Sequence, residues 1–194
     1  MLSEAPAPAG LSPVPFYYLR HGETDWNRGR RIQGITDVSL NETGRAQAAA
    51  AAALLAGREI ATLCVSPLAR ARETAEIVNR RLRRPLVVVE RLHECDLGCQ
   101  EGGPFGEWWH DWRAGRSTPE RAEPYSRFIA RALAAVNEAL LHPGPVLIVG
   151  HGGVYWSVQQ HGRLDADATL ANARPVWHIP PTADFPGWRA EPLA

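Results

Sequence analysis

Short apolar runs alternate along the chain with longer stretches of helical character. Residues 16–19 are apolar and aromatic and predict a first strand. Residues 41–56 are rich in Ala and Leu, with Ser39 or Asn41 as a cap and Gly57 as the stop, and predict a helix. Residues 60–65 read as a second strand. Ser66-Pro67 then opens a helix to about residue 81, because Ser suits the N-cap and Pro the first helical position. Residues 86–89, 145–149 and 174–179 read as further strands. The stretch 97–123 is rich in Gly, Trp and charge, with one short helical candidate at 105–114. An amphipathic helix runs from 123 or 124 to 141, another covers 154–160, and a Pro-rich tail ends the chain. Within 105–114, Phe105, Trp108, Trp109 and Trp112 fall on one helical face, which predicts that most of them are buried.

Alternation of apolar strands with helices argues an α/β fold with a largely parallel sheet covered on both faces. In such sheets ligands sit beyond the carboxyl ends of the strands. His21 follows the first strand, Arg70 the second, Glu94 the third and His151 the fourth. Four chemically suggestive residues therefore gather on one sheet edge.

At 194 residues the chain reads as one domain, 16–180, between a Pro/Ala leader (1–15) and a tail (181–194), with 103–123 as a cap segment. Lys plus Arg and Asp plus Glu number 21 each, so the net charge is zero and nothing points to nucleic acid or a membrane surface. No apolar stretch reaches the ~18 residues of a spanning helix. The leader has neither a basic n-region nor an apolar h-region, unlike a secretory signal. Cys64, Cys95 and Cys99 are odd in number and irregular in spacing, as expected for reduced thiols of a cytoplasmic protein. A zinc site from His93, Cys95 and Cys99 would lack the CxxC spacing.

The strand-end residues suit phosphoryl transfer. A neutral imidazole is a competent nucleophile near neutral pH, and His21 is the candidate. Gly22 admits close backbone approach, and Arg20 and Arg70 offer fixed forks to phosphate oxygens. His151 is a second donor to the phosphoryl group. Glu94 is the candidate acid for the leaving oxygen, with Asp96 and Glu101 competing for that role. His93, His110, His142, His161 and His178 read as structural or solvated, and Trp156, Trp177 and Trp188 as packing.

Arg20-His21-Gly22-Glu23-Thr24 followed by Trp26-Asn27, and Arg31-Ile32-Gln33-Gly34 with Asp37, resemble the signature of the histidine phosphatase superfamily, the phosphoglycerate mutase-like group. Ser66 to Ala75, Leu92-His93-Glu94 and Val149-Gly150-His151-Gly152-Gly153 are similar to its later motifs, in family order. The resemblance implies a three-layer α/β/α sandwich and a metal-independent, cofactor-free enzyme. It makes His21 the phosphorylated residue, with Arg20, Arg70 and His151 as the phosphate pocket and Glu94 as proton donor. Asn27, Gln33, Gly34 and Gly152 fall at phosphate- or substrate-binding positions. Mutases of the family carry a longer insertion with basic residues after the third motif. Here that region is short and Trp-rich, with only Arg113, Arg116 and Arg121 as basic candidates, and Cys95 and Cys99-Gln100 replace acidic or aromatic residues. A phosphatase acting on a small phosphomonoester is therefore the expectation. The alternatives are a phosphoglycerate mutase and a non-catalytic phosphate-binding or interaction module. Sugar phosphates, α-ribazole phosphate and other small esters all remain open as substrates.

Overall fold

The apolar runs become one six-stranded sheet in the computed structural model, which describes residues 10–165 and 170–194. In chain order the elements are β1 (Phe16–Arg20), α1 (Asp25–Arg28), α2 (Glu42–Leu55), β2 (Thr62–Val65), α3 (Ala69–Leu82) and β3 (Leu86–Val88). There follow α4 (Glu107–Arg113), α5 (Tyr125–Ala139), β4 (Val146–Gly150), α6 (Gly152–Gly162), β5 (Val176–Ile179) and β6 (Arg189–Pro192). Single 3-10 turns lie at Glu90–Leu92 and Gly98–Gln100.

The strand order is β3-β2-β4-β1-β5-β6. The first four are mutually parallel, while β5 runs antiparallel to β1 and β6 antiparallel to β5. Side chains alternate across a strand, and the central strands are apolar on both sides. Tyr17, Leu19, Leu63, Val65, Leu147 and Val149 join a core with α2 and α3. Phe16, Tyr18, Cys64, Val146 and Ile148 join a second core with α5 and α6. The outcome is a three-layer α/β/α arrangement with a mostly parallel sheet.

Local chemistry accounts for the element ends. Asn41 caps α2, its side-chain oxygen accepting from Gly44 N, and Gly57 leaves the helix with φ +78°. The helix after β2 departs from the sequence expectation: it starts at Ala69, not at Pro67, and Ser66 does not cap it. Asp37 accepts from Ala69 N at 2.7 Å and satisfies that end from a distant loop, which leaves Ser66 available elsewhere. The expected Pro-rich tail supplies β6, whose pairing with β5 hid behind two prolines and a charged pair in the sequence. Of the expected leader, Leu11 is buried, and Ser12 N and Gly10 O bond the side chain of Asn137 on α5. Residues 1–9 lie outside the described residues. Among the described residues no helix is long and apolar enough to cross a membrane.

The predicted aromatic face of 105–114 is only partly covered. Trp112 is fully buried, Trp108 and Trp109 are half-buried, and Phe105 is 55% exposed. Phe105 precedes the first turn of α4, so it does not share the face that docks on the body. Trp112 packs on Tyr125 and Phe128, and its indole N–H donates to Glu123 O at 2.8 Å. Trp112→Ala should lose about 3–5 kcal/mol of stability, the range for emptying a large buried aromatic site. Urea unfolding followed by far-UV circular dichroism would measure it, and a loss under about 1 kcal/mol would mean that α4 is not part of the cooperative core.

Candidate active site

The carboxyl ends of β1, β2 and β4, together with the loop after β3, close around one cavity of about 360 Å³. Arg20, His21, Arg70 and Glu94 line it, as do Asn27, Gln33, Gly34 and Gly152. His151 does not reach the cavity wall. It is fully buried, with its ring 5.3 Å from that of His21. The sequence-predicted residues are thus brought together, with His151 behind the surface.

Backbone contacts fix His21. Its amide donates to Gly150 O, and Asn172 Nδ2 donates to its carbonyl. A Cβ on Gly22 would strike the Gly44 carbonyl, and one on Gly44 would strike Glu23 O, so the loop after β1 lies backbone to backbone on the first turn of α2. Thr74 on α3 accepts from Gly22 N at 3.0 Å and donates to Arg70 O. His21 Nδ1 lies 2.7 Å from Gly22 O. A carbonyl only accepts, so Nδ1 carries the proton and Nε2 holds the lone pair.

Arg70 is completely buried. Its two terminal nitrogens donate to Thr36 O at 2.9 Å and Gly34 O at 2.7 Å. Arg20 Nη1 donates to Leu170 O at 3.0 Å. Among the described residues four buried side-chain nitrogens have no partner: Arg20 Nε, Arg70 Nε, His151 Nδ1 and, on β5, His178 Nδ1. Buried donors are rarely left so. The first three lie about His21, and an anion there would satisfy them. His151 Nε2 pairs with Ser66 Oγ at 2.7 Å, and Tyr18 OH donates to His151 O and accepts from its amide.

Burial first, then the charges of Arg70 and Arg20, hold His21 well below the usual imidazole range. Burial, Arg70, the His21 ring and Arg20 do the same to His151. Both rings are therefore neutral at pH 7. Burial lowers the arginines too, with Glu94 opposing it, and guanidinium retains its charge under such shifts.

Of the three competing carboxylates, only Glu94 borders the cavity. Its oxygens accept from Cys95 N at 3.0 Å and Gly153 N at 2.9 Å, on the first turn of α6. Glu101 accepts from Ile35 N, Thr36 N, Thr36 Oγ1 and Leu97 N, and so braces the loop that holds Arg70. Asp96 caps its own turn through Gly98 N. The Glu94 loop is clamped from outside by Arg131, which donates to the carbonyls of Arg91, His93 and Glu94 and pairs with Glu123 at 2.5 Å. Glu123 also accepts from Asp96 N. Cys95 borders the cavity, where burial and Glu94 push its thiol well up. Among the described residues no group of three or more His, Cys, Asp or Glu side chains gathers as a metal site.

Sequence reading missed several supports. Ser66 carries a hydroxyl just after the apolar β2 and Tyr18 one in the middle of the apolar β1, and that was the available signal. Nothing local marked Asn172, Arg131 or Glu123. Trp156 was assigned to packing, yet it lines the cavity together with Trp109 and Phe105. Its position four residues after Gly152, on one face of α6, was the clue.

The chain matches the family model described as histidine phosphatase superfamily (branch 1) over residues 16–173. It is 38% identical over 136 residues to the uncharacterized phosphatase PhoE of Bacillus subtilis, covering 69% of each chain. It is 33% identical over 156 residues to a glucosyl-3-phosphoglycerate phosphatase of Mycolicibacterium vanbaalenii, covering 70% of this chain and 68% of that one. Among solved structures, mycobacterial glucosyl-3-phosphoglycerate phosphatase in complex with VO3 superposes with a TM-score of 0.75 at 29% identity, covering 92% of this chain and 96% of the other.

The neutral histidines set an acid limit on stability. His178, stacked on Phe16 and 2.9 Å from Tyr155 OH, is lowered by burial to about 4. An imidazole held below its unfolded value near ~6.5 binds fewer protons folded than unfolded. Stability is then fully present above ~6.5 and is lost as pH falls towards the folded value, by about 1.4 kcal/mol per pH unit for each such ring. Urea midpoints should fall from pH 7 to pH 5, with a shallower slope for His178→Phe. Equal midpoints at pH 7 and pH 5 would show that these rings are not held neutral.

Proposed function

The chain belongs to the histidine phosphatase superfamily, and from that premise we propose that it hydrolyses small phosphomonoesters through a phosphohistidine on His21. One arrangement carries the reading: His21, with Nδ1 against Gly22 O, lines the cavity beside the unpaired Nε atoms of Arg20 and Arg70, and His151 is buried behind it. Some relatives bear phosphatase names and others that of a probable phosphoglycerate mutase, so the choice of hydrolysis over transfer rests on the Trp-rich segment described below.

In this mechanism Arg20 and Arg70 offer their Nε–H groups to the phosphoryl oxygens, and His151 offers Nδ1–H from behind. These donors are fixed before substrate arrives, which is where electrostatic catalysis gains most. His21 Nε2 gives its electron pair to phosphorus as the bond to the alcohol oxygen breaks. That oxygen keeps the bonding pair and takes a proton from Glu94. Water then attacks phosphorus and gives its proton to the Glu94 carboxylate. The pair of the P–N bond returns to Nε2 and inorganic phosphate leaves. The positive charge comes from the arginines, so no step calls on a metal, and turnover should be indifferent to chelators. The Trp-rich stretch 103–123, with Arg113, Arg116 and Arg121 as its only arginines and no lysine, favours water over a second phosphorylated acceptor.

His21→Ala should abolish turnover while leaving the urea midpoint at pH 7 close to wild type. Rapid quench with a radioactive phosphoryl donor should trap acid-labile, base-stable label on the wild type and none on the variant. Wild-type rates from His21→Ala would end this reading.

Glu94→Gln should slow alkyl phosphates by roughly 100- to 10,000-fold and p-nitrophenyl phosphate much less, since nitrophenolate leaves without a proton. Asp96→Asn and Glu101→Gln should show no such dependence on the leaving group. If one of them does and Glu94→Gln does not, the proton donor is that other carboxylate.

A further inference from the structure

Arg20 and Arg70 stand by His21 in the cavity, and an aromatic group forms another part of its wall, with Arg30 and Arg31 also lining it. Gly152 and Gly153, at the start of α6, border it beside Arg20, His21 and Glu94. Trp156 comes four residues after Gly152, on the same helix face and about 6 Å further along the axis. Trp109 of α4 meets it edge to face, with ring centroids 5.5 Å apart, and Phe105 stands 4.9 Å from Trp109. Arg113, in the last turn of α4, lies over the Trp156 ring at 5.1 Å, so the two helices are joined at this wall. Ile32 and Leu97 complete the apolar surface.

We propose that this wall selects phosphomonoesters whose alcohol carries a flat apolar ring two or three atoms beyond the ester oxygen. The inference rests on the cavity being the phosphomonoester site proposed above. With phosphorus on the His21 side, one helical turn separates the reacting group from Trp156. A linker of two or three atoms spans that turn. A ring at that depth gains edge-to-face or offset contacts with Trp109 and Trp156 and covers apolar surface that the fold leaves open, Phe105 above all. A polyol at the same depth would set hydroxyls against Ile32, Leu97 and Phe105, and only its edge towards Arg30, Arg31 or Gln33 would replace the water given up.

Binding and turnover test this separately. Calorimetry with non-hydrolysable phosphonates reads the wall whether or not the protein catalyses. 3-Phenylpropylphosphonate, which matches a 2-phenylethyl ester, should bind roughly 10- to 100-fold tighter than propylphosphonate, the scale on which a hydrophobic subsite discriminates. Phenylphosphonate, with no linker, should lose most of that advantage. Trp109→Leu and Trp156→Leu should each shrink it, and the former, half-buried on a surface helix, keeps the test open if the latter fails to fold. Equal affinity for the propyl and phenylpropyl compounds, or a ring preference unchanged in both variants, overturns the proposal. In turnover, kcat/KM should peak at 2-phenylethyl or 3-phenylpropyl phosphate in a series that begins with benzyl phosphate, and glucose 6-phosphate should fall below all three. A higher kcat/KM for glucose 6-phosphate overturns it as well. Hydrolysis of none of them, with ring-selective phosphonate binding intact, would instead refute the phosphatase reading and leave the wall standing.

Discussion

Arg70 is a cation that the sheet edge has taken out of water. A buried guanidinium is tolerable only where carbonyls and opposite charge replace its hydration. The carbonyls of Gly34 and Thr36 do so, and their loop needs its own support. Glu101 gives that support by collecting three backbone amides and the Thr36 hydroxyl. Gly34 has φ +51°, and a side chain there would collide with the Glu101 carboxylate. Asp37 then ties the same loop to the start of α3, the helix that carries Arg70. The loop after β1, the helix after β2 and the 3-10 turn after β3 are thus one assembly, built so that a single guanidinium can sit beneath a ligand.

The strands and major helices were legible because each reports a short-range rule. The four central strands are apolar runs of the right length, and Asn41 and Gly57 bracket α2 as a cap and a stop. What escaped the sequence depends on distant partners. Ser66-Pro67 has the local form of a helix start, but Asp37 satisfies Ala69 N from 32 residues away, so the helix begins later. β6 exists because β5 offers an edge, and no period-two pattern in 189–192 announces it. The catalytic candidates were legible as strand-end residues. The depth of His151 was not, because burial of a histidine depends on Ser66 and Tyr18 reaching its ring and backbone. Phe105 was expected to share a helical face with the tryptophans, and the helix begins after it.

Glu94 is held on two sides by unlike means. Towards the cavity its carboxylate rests on the amides of Cys95 and Gly153. Away from it, Arg131 and Glu123 grip the backbone of the same loop, and the Glu123 carbonyl receives the indole N–H of Trp112. The loop of Glu94, the proposed proton donor, and the helix α4 are therefore joined by a short run of polar contacts. An acid placed within hydrogen-bond reach of a leaving oxygen needs such support, since small displacements at that distance are expensive in rate.

The unpaired Nε atoms of Arg20 and Arg70 have a further meaning for durability. Groups that await a ligand lower the stability of the free protein, and the two apolar cores on either face of the sheet carry that load. The other nitrogens of the same side chains hold the carbonyls of Gly34, Thr36 and Leu170, and exchange for apolar groups would leave those carbonyls unpaired. An anion bound in the cavity would complete both side chains at once, so occupancy of the cavity and endurance of the fold are coupled at these positions.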